Sequence, residues 1–526
     1  MSKAITNTNN IWESDKLSKF EYQEDAHIDK FEESQQNIEV SEQNEEISNE
    51  SGDSDGEHRD WTNTQKIAFR IAFIFFFLLV VPLDFDFYAK WFTTDWSHLH
   101  IRNIGELSGS SFHPIKILEN NKGAGDIGSI AQSNVQFLKV NAESGTFGIA
   151  SYINWGLALL IGVVGGAIWT LIDRKSKNYR VLYYFITVAV SYSMLIKLNG
   201  LTFAKVFPTQ MPDLALTQLN TNFGDFTAQK LYWIQLSFVH DYEIFAGLAE
   251  LLIMILLFFR KTRFWGAALA LAMIGNIAFV NHAYDGGIHL AASFYVIAGG
   301  FVVWRYLPRI WNLIVNEKNT SLNLYQFPYK EKWQQYVRIG LKTFVFGFYF
   351  ILSGYLHWHN YKHDSYKVPS RPGLTDARGL YQVTEFKLNN KPVAYSPVDS
   401  LRWQNVTLEK WSTISYSVFN TFTIHGEAGR GKQIKDVDRA YESAGTGGGR
   451  RHFYYEEDPA KKVLTLYNKN KVYKDERQIL HYERPSKSRI ILSGINEQKD
   501  SIYVVLDKKD RKYPLYEGKQ SEIKAF

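Results

Sequence analysis

Residues 153–172 read INWGLALLIGVVGGAIWTLI, twenty consecutive positions without a charge. At about 1.5 Å of rise per residue a helix of this length is about 30 Å long, which matches the hydrocarbon core of a bilayer. A helix also satisfies its own backbone, the condition lipid imposes on anything that crosses it. The segment is therefore expected to span a membrane. On its amino-terminal side IAFRIAFIFFFLLVVPL at 67–83 reads the same way, and further apolar runs recur at 181–200, 242–259, 264–281, 287–304 and 341–358. The pattern predicts a polytopic α-helical membrane bundle of about seven spans. The stretch 201–240 fits less well, because FAKVFPTQMPDLAL breaks at Pro208 and Pro212 before the amphipathic FTAQKLYWIQLSFVH. It reads as an interfacial or re-entrant hairpin, or as containing a further span. Its open backbone would need cover from protein or a wet cavity.

The mean hydropathy of −0.24 averages over segments of opposite character. Residues 1–60 carry a net charge of −12 and the remaining chain +17. The tail is rich in Glu, Ser, Asn and Gln and poor in aliphatic residues, so it is expected to be a disordered acidic segment. It contains no basic stretch followed by an apolar core, which makes the first apolar run an uncleaved anchor rather than a leader. Lys and Arg concentrate in RKSKNYR at 174–180, RKTR at 260–263 and RYLPR at 305–309. The positive-inside tendency puts these loops and the tail in the cytoplasm, with the loop 84–150 and everything after 359 outside the cell (inner) membrane. The aromatic stretch DFDFYAKWFTTDWSHLH at 84–100 is expected along the outer membrane surface, over the mouth of a cavity or in a helix-packing gap.

From about residue 371 the composition turns soluble, with β-rich runs GLYQVTEFKLN, KKVLTLYNKN, RIILSG and DSIYVVLDKK. Short strands separated by Asn, Gly, Asp and Lys argue for an antiparallel β barrel or sandwich over 371–526, with INEQKDS as a hairpin tip. The glycine-rich AGTGGGRR at 444–451 reads as a loop between strands. It lacks the strand, lysine and helix order of a phosphate-binding loop. The organisation is thus a tail (1–60), a helical domain (61–360) and an outer β domain (371–526). The basic residues follow topology, and no nucleic-acid motif is present.

The chain has no cysteine, which excludes a thiol nucleophile, thiolate-held metals and dithiol redox chemistry. Ionisable residues inside spans are costly and so are candidates for function. Glu243 and Glu250 lie two helical turns apart on one face, with Asn276, Lys197 or Lys205 as facing partners. A structural clasp and a substrate, proton or cofactor role are both open. Histidine is the commonest metal ligand. His282, His289, His357, His359 and His363, with His98, His100, His113 and His240, fall at expected outer ends or loops, where a metal or haem site and an ordinary wet interface both fit. His359 and His363 are spaced i, i+4. Gly162 and Gly166 form a close-packing pair, and Arg70 is expected to snorkel to headgroups.

FAKVFPTQMPDLALTQL at 203–219, DYEIFAGLAELL at 241–252 with the basic turn RKTRFWGA, and NIAFVNHAYDGGIHL at 276–290 resemble the DoxX family and its DoxX-like relatives. These are small four-helix membrane proteins that include a subunit linked to thiosulfate:quinone oxidoreductase. The resemblance implies a four-helix core over about 181–310, here in a long form with added helices and the β domain. It further implies a membrane redox subunit binding a quinone or haem, with Lys205, Gln210, Glu243, Glu250, Asn281 and Asp285 within a shared site and Asn276 beside it. No catalytic residue set transfers, and without cysteine the thiol chemistry of similar quinone-reducing bundles is excluded. A second expectation is a non-enzymatic membrane scaffold, or an assembly or export factor, whose outer β domain binds a protein partner or ligand. A transporter would need inverted repeats, and only one interrupted region is present.

Overall fold

A computed structural model describes residues 60–83, 85–108, 152–284, 286, 288–320, 325–364, 367–424 and 435–517. The acidic tail up to residue 59, all of 109–151 with His113, and Asp285 lie outside the described residues. The first long helix, α1 (Asn63–Val80), opens on a capping box in which Thr62 accepts from the Gln65 amide at 3.2 Å and Gln65 accepts from the Thr62 amide at 3.0 Å. Two short outer helices follow, α2 (Phe85–Thr93) and α3 (Ile101–Ser108). In α2, Trp91 packs onto Trp96, Phe344 and Phe348, so the aromatic stretch fills a helix-packing gap.

The charge-free run is α4 (Ile153–Ile172). Its Gly162 and Gly166 lie against α1, where an added Cβ would come within 3.0 Å of the Ile71 carbonyl or 2.8 Å of the Ile71 side chain. Arg70 does not snorkel. It is 3% exposed and donates to the Tyr179 hydroxyl, to Thr170 Oγ1 and to the Asp173 carbonyl, each at 2.8 Å, which ties α1 to the end of α4. Three partners within reach make an internal clamp cheaper than extension to the headgroups.

The central helices are α5 (Arg180–Val206), α8 (His240–Phe258), α9 (Arg263–Ala283) and α10 (His289–Trp304). After a bend of 64°, α10 continues as α11 (Leu307–Ile314). The last long helix is α12 (Lys332–Phe346), a π-helical turn (Gly347–Leu352) and α13 (Ser353–His363). The π turn releases the Tyr349 carbonyl to the Asn199 amide, and Ser353 donates to Asn199 Oδ1 at 2.6 Å. Among the described residues five helices are long and apolar enough to cross a membrane, and six if the bent pair counts as one. α8 has the length, at 19 residues, but carries Asp241, Glu243 and Glu250.

Between α5 and α8 no full span forms. The chain makes only α6 (Leu216–Leu219), a 3-10 turn (Phe223–Asp225) and α7 (Ala228–Ser237). The basic loops 174–180, 260–263 and 305–309 accordingly gather at one end of the bundle. The 207–239 connector, the α9–α10 turn and the end of α13 gather at the other, from which the β domain continues.

That domain is an antiparallel barrel with strands β1 (Gly379–Leu388), β3 (Asn405–Leu408), β4 (Thr413–Ser417), β5 (Arg450–Asp458), β6 (Val463–Asn468), β7 (Arg477–Glu483), β8 (Arg489–Ile495) and β9 (Ser501–Lys509), paired in that order. The β1–β9 pairing closes it, and β2 (Lys391–Pro392) is a short appendage to β1. Closure removes the strand edges, which decides between the barrel and the sandwich. Eight strands leave an interior that side chains can fill. Tyr381, Trp403, Tyr416, Phe453, Tyr455, Leu464 and Leu480 fill it, with Trp403 stacked on Tyr416 at 3.9 Å between centroids.

The α5–α8 crossing is the tightest in the bundle core, because a Cβ on Gly247 would stand 2.5 Å from the Val206 nitrogen and 2.8 Å from Lys205 Cβ. Gly247→Ala is expected to cost about 1–3 kcal/mol through overpacking, read as a lower thermal midpoint in detergent. Gly200→Ala, with no atom within 4 Å of the new carbon, serves as the control that should not fall.

Candidate functional site: a buried polar seam between helices and barrel

The expected polar residues of the bundle are drawn into closed pairs. Lys205 Nζ donates to both oxygens of Glu250, at 2.9 and 3.0 Å, and Glu250 is 2% exposed. Lys197, the other lysine offered as its partner, lies instead over the Phe294 ring at 4.6 Å. Glu243 accepts from the Met211 amide at 3.1 Å and stands 3.5 Å from His240 Nδ1. The Gln210 carbonyl accepts from Lys367, while Gln210 Oε1 is buried without a hydrogen-bond partner. Asn281 accepts from the Ile288 amide at 3.3 Å and donates to the Ile277 carbonyl at 2.8 Å, so it holds the α9–α10 turn. Asn276 is corrected: it is exposed on the outer side of α9, since the buried positions of that helix run through Ile274, Ala278 and Asn281.

The histidines separate into three places. His282 shares a hydrogen bond with the Tyr152 hydroxyl at 2.9 Å and lies 5.1 Å from the ring of His289. His357 faces the Ser353 carbonyl at 2.8 Å and packs on Phe203. His359 and His363 are exposed, 4.6 Å apart by ring centroids, on one face of α13. Among the described residues no three His, Asp or Glu side chains come together in a way that would hold a metal ion.

Among the described residues, buried charge concentrates outside the expected site, in the barrel and its base. The outer face of β3, β4 and β5 rests on the 207–237 connector. Glu409, at the end of β3, accepts from the amides of Leu216 and Thr217 at 2.9 and 2.7 Å, capping α6 with a carboxylate. The Thr217 hydroxyl meets Ser415 Oγ at 2.7 Å and His452 Nε2 at 3.3 Å. Arg450 reaches the Asn220 carbonyl at 3.1 Å and Thr407 and Ser415 at 3.1 Å. Lys230, from α7, donates to the Tyr441 carbonyl and stacks over that ring at 4.3 Å. Behind them Lys469 and Glu442 form an ion pair with no side-chain exposure, and Glu442 also accepts from Trp411 Nε1 at 3.2 Å and Thr413 Oγ1 at 2.9 Å.

The glycine-rich segment clamps this face. Gly445, Gly448 and Gly449 take φ of 71°, 65° and 71°, open to glycine at little cost. A Cβ on Gly445 would meet Thr227 Oγ1 at 2.8 Å. The Thr227 amide donates to the Gly445 carbonyl at 3.0 Å and the Gly447 amide to the Asp225 carbonyl at 2.7 Å, a short ladder between barrel loop and connector.

Burial sets the electrostatics of the seam. It pushes the Glu409 carboxyl up to about 7 against the two amides that favour its charged form, and it pulls Lys230 down to about 7. His452 is held well below its ordinary value of 6.5, first by burial and then by Arg450, Lys469 and Lys230 around it. Neutral His452 is thus part of the folded arrangement. Chemically the seam is a set of charges that satisfy one another and the irregular backbone of the connector.

No family model matches this chain, and no curated protein or solved structure is significantly similar to it.

Removing one member of a fully buried ion pair strands the other, so Lys469→Met is expected to cost about 3–5 kcal/mol. Glu442→Leu in the same background should recover part of that loss. A double-mutant cycle from detergent unfolding midpoints would then show coupling rather than additivity. The histidine gives a pH signature. A depressed folded pKa means that stability is intact above 6.5 and is lost as pH falls below it, at up to about 1.4 kcal/mol per pH unit. Glu409, raised in the fold, acts with the opposite sign between 4.5 and about 7. The difference between wild type and His452→Gln isolates the histidine, and wild type should lose its advantage over the variant from pH 6.5 to 5.

Proposed function

We propose that the chain is a membrane-anchored platform that holds a β barrel at a fixed attitude on the outer surface of the cell (inner) membrane, where the barrel engages a protein partner. The supporting observation is the seam. Lys205 and Glu250 close a pair between the helices, Lys469 and Glu442 close another at the barrel base, and the barrel interior is filled with aromatic and aliphatic side chains. Recognition then belongs to the barrel surface. The exposed Val398, Leu401 and Phe419 stand together at the end of the barrel away from the β3–β4 hairpin, joined through the Phe419 amide bond to the Asp399 carbonyl at 3.1 Å. In this reading the arginine-rich end of the bundle faces the cytoplasm, as the distribution of basic loops supports.

A second reading, a quinone-holding redox subunit of the DoxX-like type, is favoured by one observation. The Tyr152 hydroxyl lies between His282 Nε2 at 2.9 Å and Ser293 Oγ at 2.6 Å, with His289 alongside, and groups of this kind bind quinone carbonyls. A haem would need an open imidazole nitrogen, and His282 uses both of its own on Tyr152 and the Ala278 carbonyl.

Purification of the full chain in mild detergent, with a visible spectrum and mass spectrometry of extracted lipids, separates the two. The platform predicts no stoichiometric chromophore or quinone. It also predicts one defined adduct when a photo-crosslinking residue replaces Leu401 or Phe419 in cells. Stoichiometric quinone lost on Tyr152→Phe, with no adduct at the barrel, would replace it with the redox subunit.

A further inference from the structure

The end of the bundle away from the barrel holds a cleft enclosing about 560 Å³ of empty space, part of it open to solvent. Arg180, Arg260, Arg263 and Arg305 line it together with Tyr183 and Thr187, and no described acidic side chain does. Arg263 is 7% exposed and its Nε has no hydrogen-bond partner, while the buried hydroxyls of Tyr183 and Thr187 face only each other. Arg180 and Arg263 are also the first residues of α5 and α9. A helix amino terminus carries partial positive charge and favours anions, so two arginines at two such ends raise the local potential twice over. This arrangement calls for a bound anion.

We infer that the cleft binds the phosphate of an anionic lipid headgroup. Guanidinium groups match phosphate oxygens in pairs, and the orphaned Nε and the two hydroxyls are donors of the kind a phosphodiester accepts from. The surroundings favour a lipid over a free phosphate. Next to the cleft, α11 turns aside by 64° and presents Leu307, Trp311 and Ile314, all exposed, at i, i+4 and i+7 along one face. Trp265 and Trp304 are exposed beside it, the aromatic composition of a headgroup boundary. Basic pockets between helices at such boundaries hold anionic headgroups. Arg305 lies over the rings of Trp61 and Tyr183 at 5.3 and 5.2 Å, which fixes its guanidinium at the cleft wall.

The inference rests on the helices spanning a bilayer, and its test keeps the two apart. The full chain purified in detergent is incubated with phosphatidylglycerol, cardiolipin or phosphatidylcholine and examined by native mass spectrometry and thermal unfolding, with inorganic phosphate as a competitor. Anionic lipids should be retained and should raise the midpoint, with phosphatidylcholine doing neither. Arg263→Gln should weaken anionic retention roughly tenfold or more, the scale of one lost charge-assisted hydrogen bond. Tyr183→Phe with Thr187→Val should weaken it less while leaving every charge in place, and Arg305→Gln carries the same test should Arg263→Gln not fold. Equal retention of phosphatidylcholine, or unchanged retention in these variants, would overturn the site. Full displacement by inorganic phosphate would overturn the lipid as its source. Recovery of the chain in the soluble fraction without detergent would overturn the spanning reading and this inference with it, whereas a membrane-bound chain with no anionic preference overturns the inference alone.

Discussion

Irregular backbone beside a bilayer must find hydrogen-bond partners within the protein, and the arrangement of this chain follows from that constraint. The connector between α5 and α8 makes fewer than five helical turns in total and leaves amides and carbonyls open along its length. Glu243 takes the Met211 amide and Glu409 the Leu216 and Thr217 amides, while Lys367 and Arg450 reach the Gln210 and Asn220 carbonyls. Hydrogen bonds to charged groups contribute about 1.5–3 kcal/mol each. Three of those four groups come from beyond the last helix, so the connector reaches a satisfied state only with the barrel in place. Bundle and barrel are thus parts of one folding problem, although they are separated by composition and by nearly 200 positions of sequence.

The seam is ionic where an apolar one would have cost less. Burying Lys469 against Glu442, and His452 among three cations, brings desolvation penalties that well-packed hydrophobic side chains would avoid. What charges add is register. An apolar face on β3–β4–β5 would tolerate sliding over α6 and α7, whereas Glu409 fits one pair of amides and the left-handed glycines fit one stretch of connector backbone.

Sequence reading reached the helices because lipid demands a pattern that a single chain can display: long apolar runs with basic loops between them. It reached β1, β6, β8 and β9 because their outward faces meet water and alternate. It missed β3, β4 and β5 because both of their faces are buried. RRHFYY shows no period of two when Arg450 and His452 point into a polar seam while Arg451 and Phe453 point inward. The same loss of contrast hid the site, since charged residues in a soluble-looking domain resemble a solvated surface. Within the bundle Glu250 and Lys205 were legible as partners because an intramembrane charge stands out. Asn276 was misplaced because an uncharged amide near a helix middle carries no sign of which way it faces. The glycine-rich loop was legible as a loop, but its contacts are with Asp225 and Thr227, two hundred residues away, which no local pattern connects to it.

The two ends of the bundle treat their charges in opposite ways, and the difference carries the functional argument. At the barrel end the described candidate acids Glu250 and Glu243 meet a lysine, and an amide and a histidine, of the same chain. At the arginine end the cleft has no described acid in its lining, and Arg263 Nε is buried there without a hydrogen-bond partner. Folding tolerates uncompensated donors only where something outside the chain supplies the acceptors. The two ends thus differ in charge: acids and bases pair at the barrel end, while cations without a described acid line the cleft at the other.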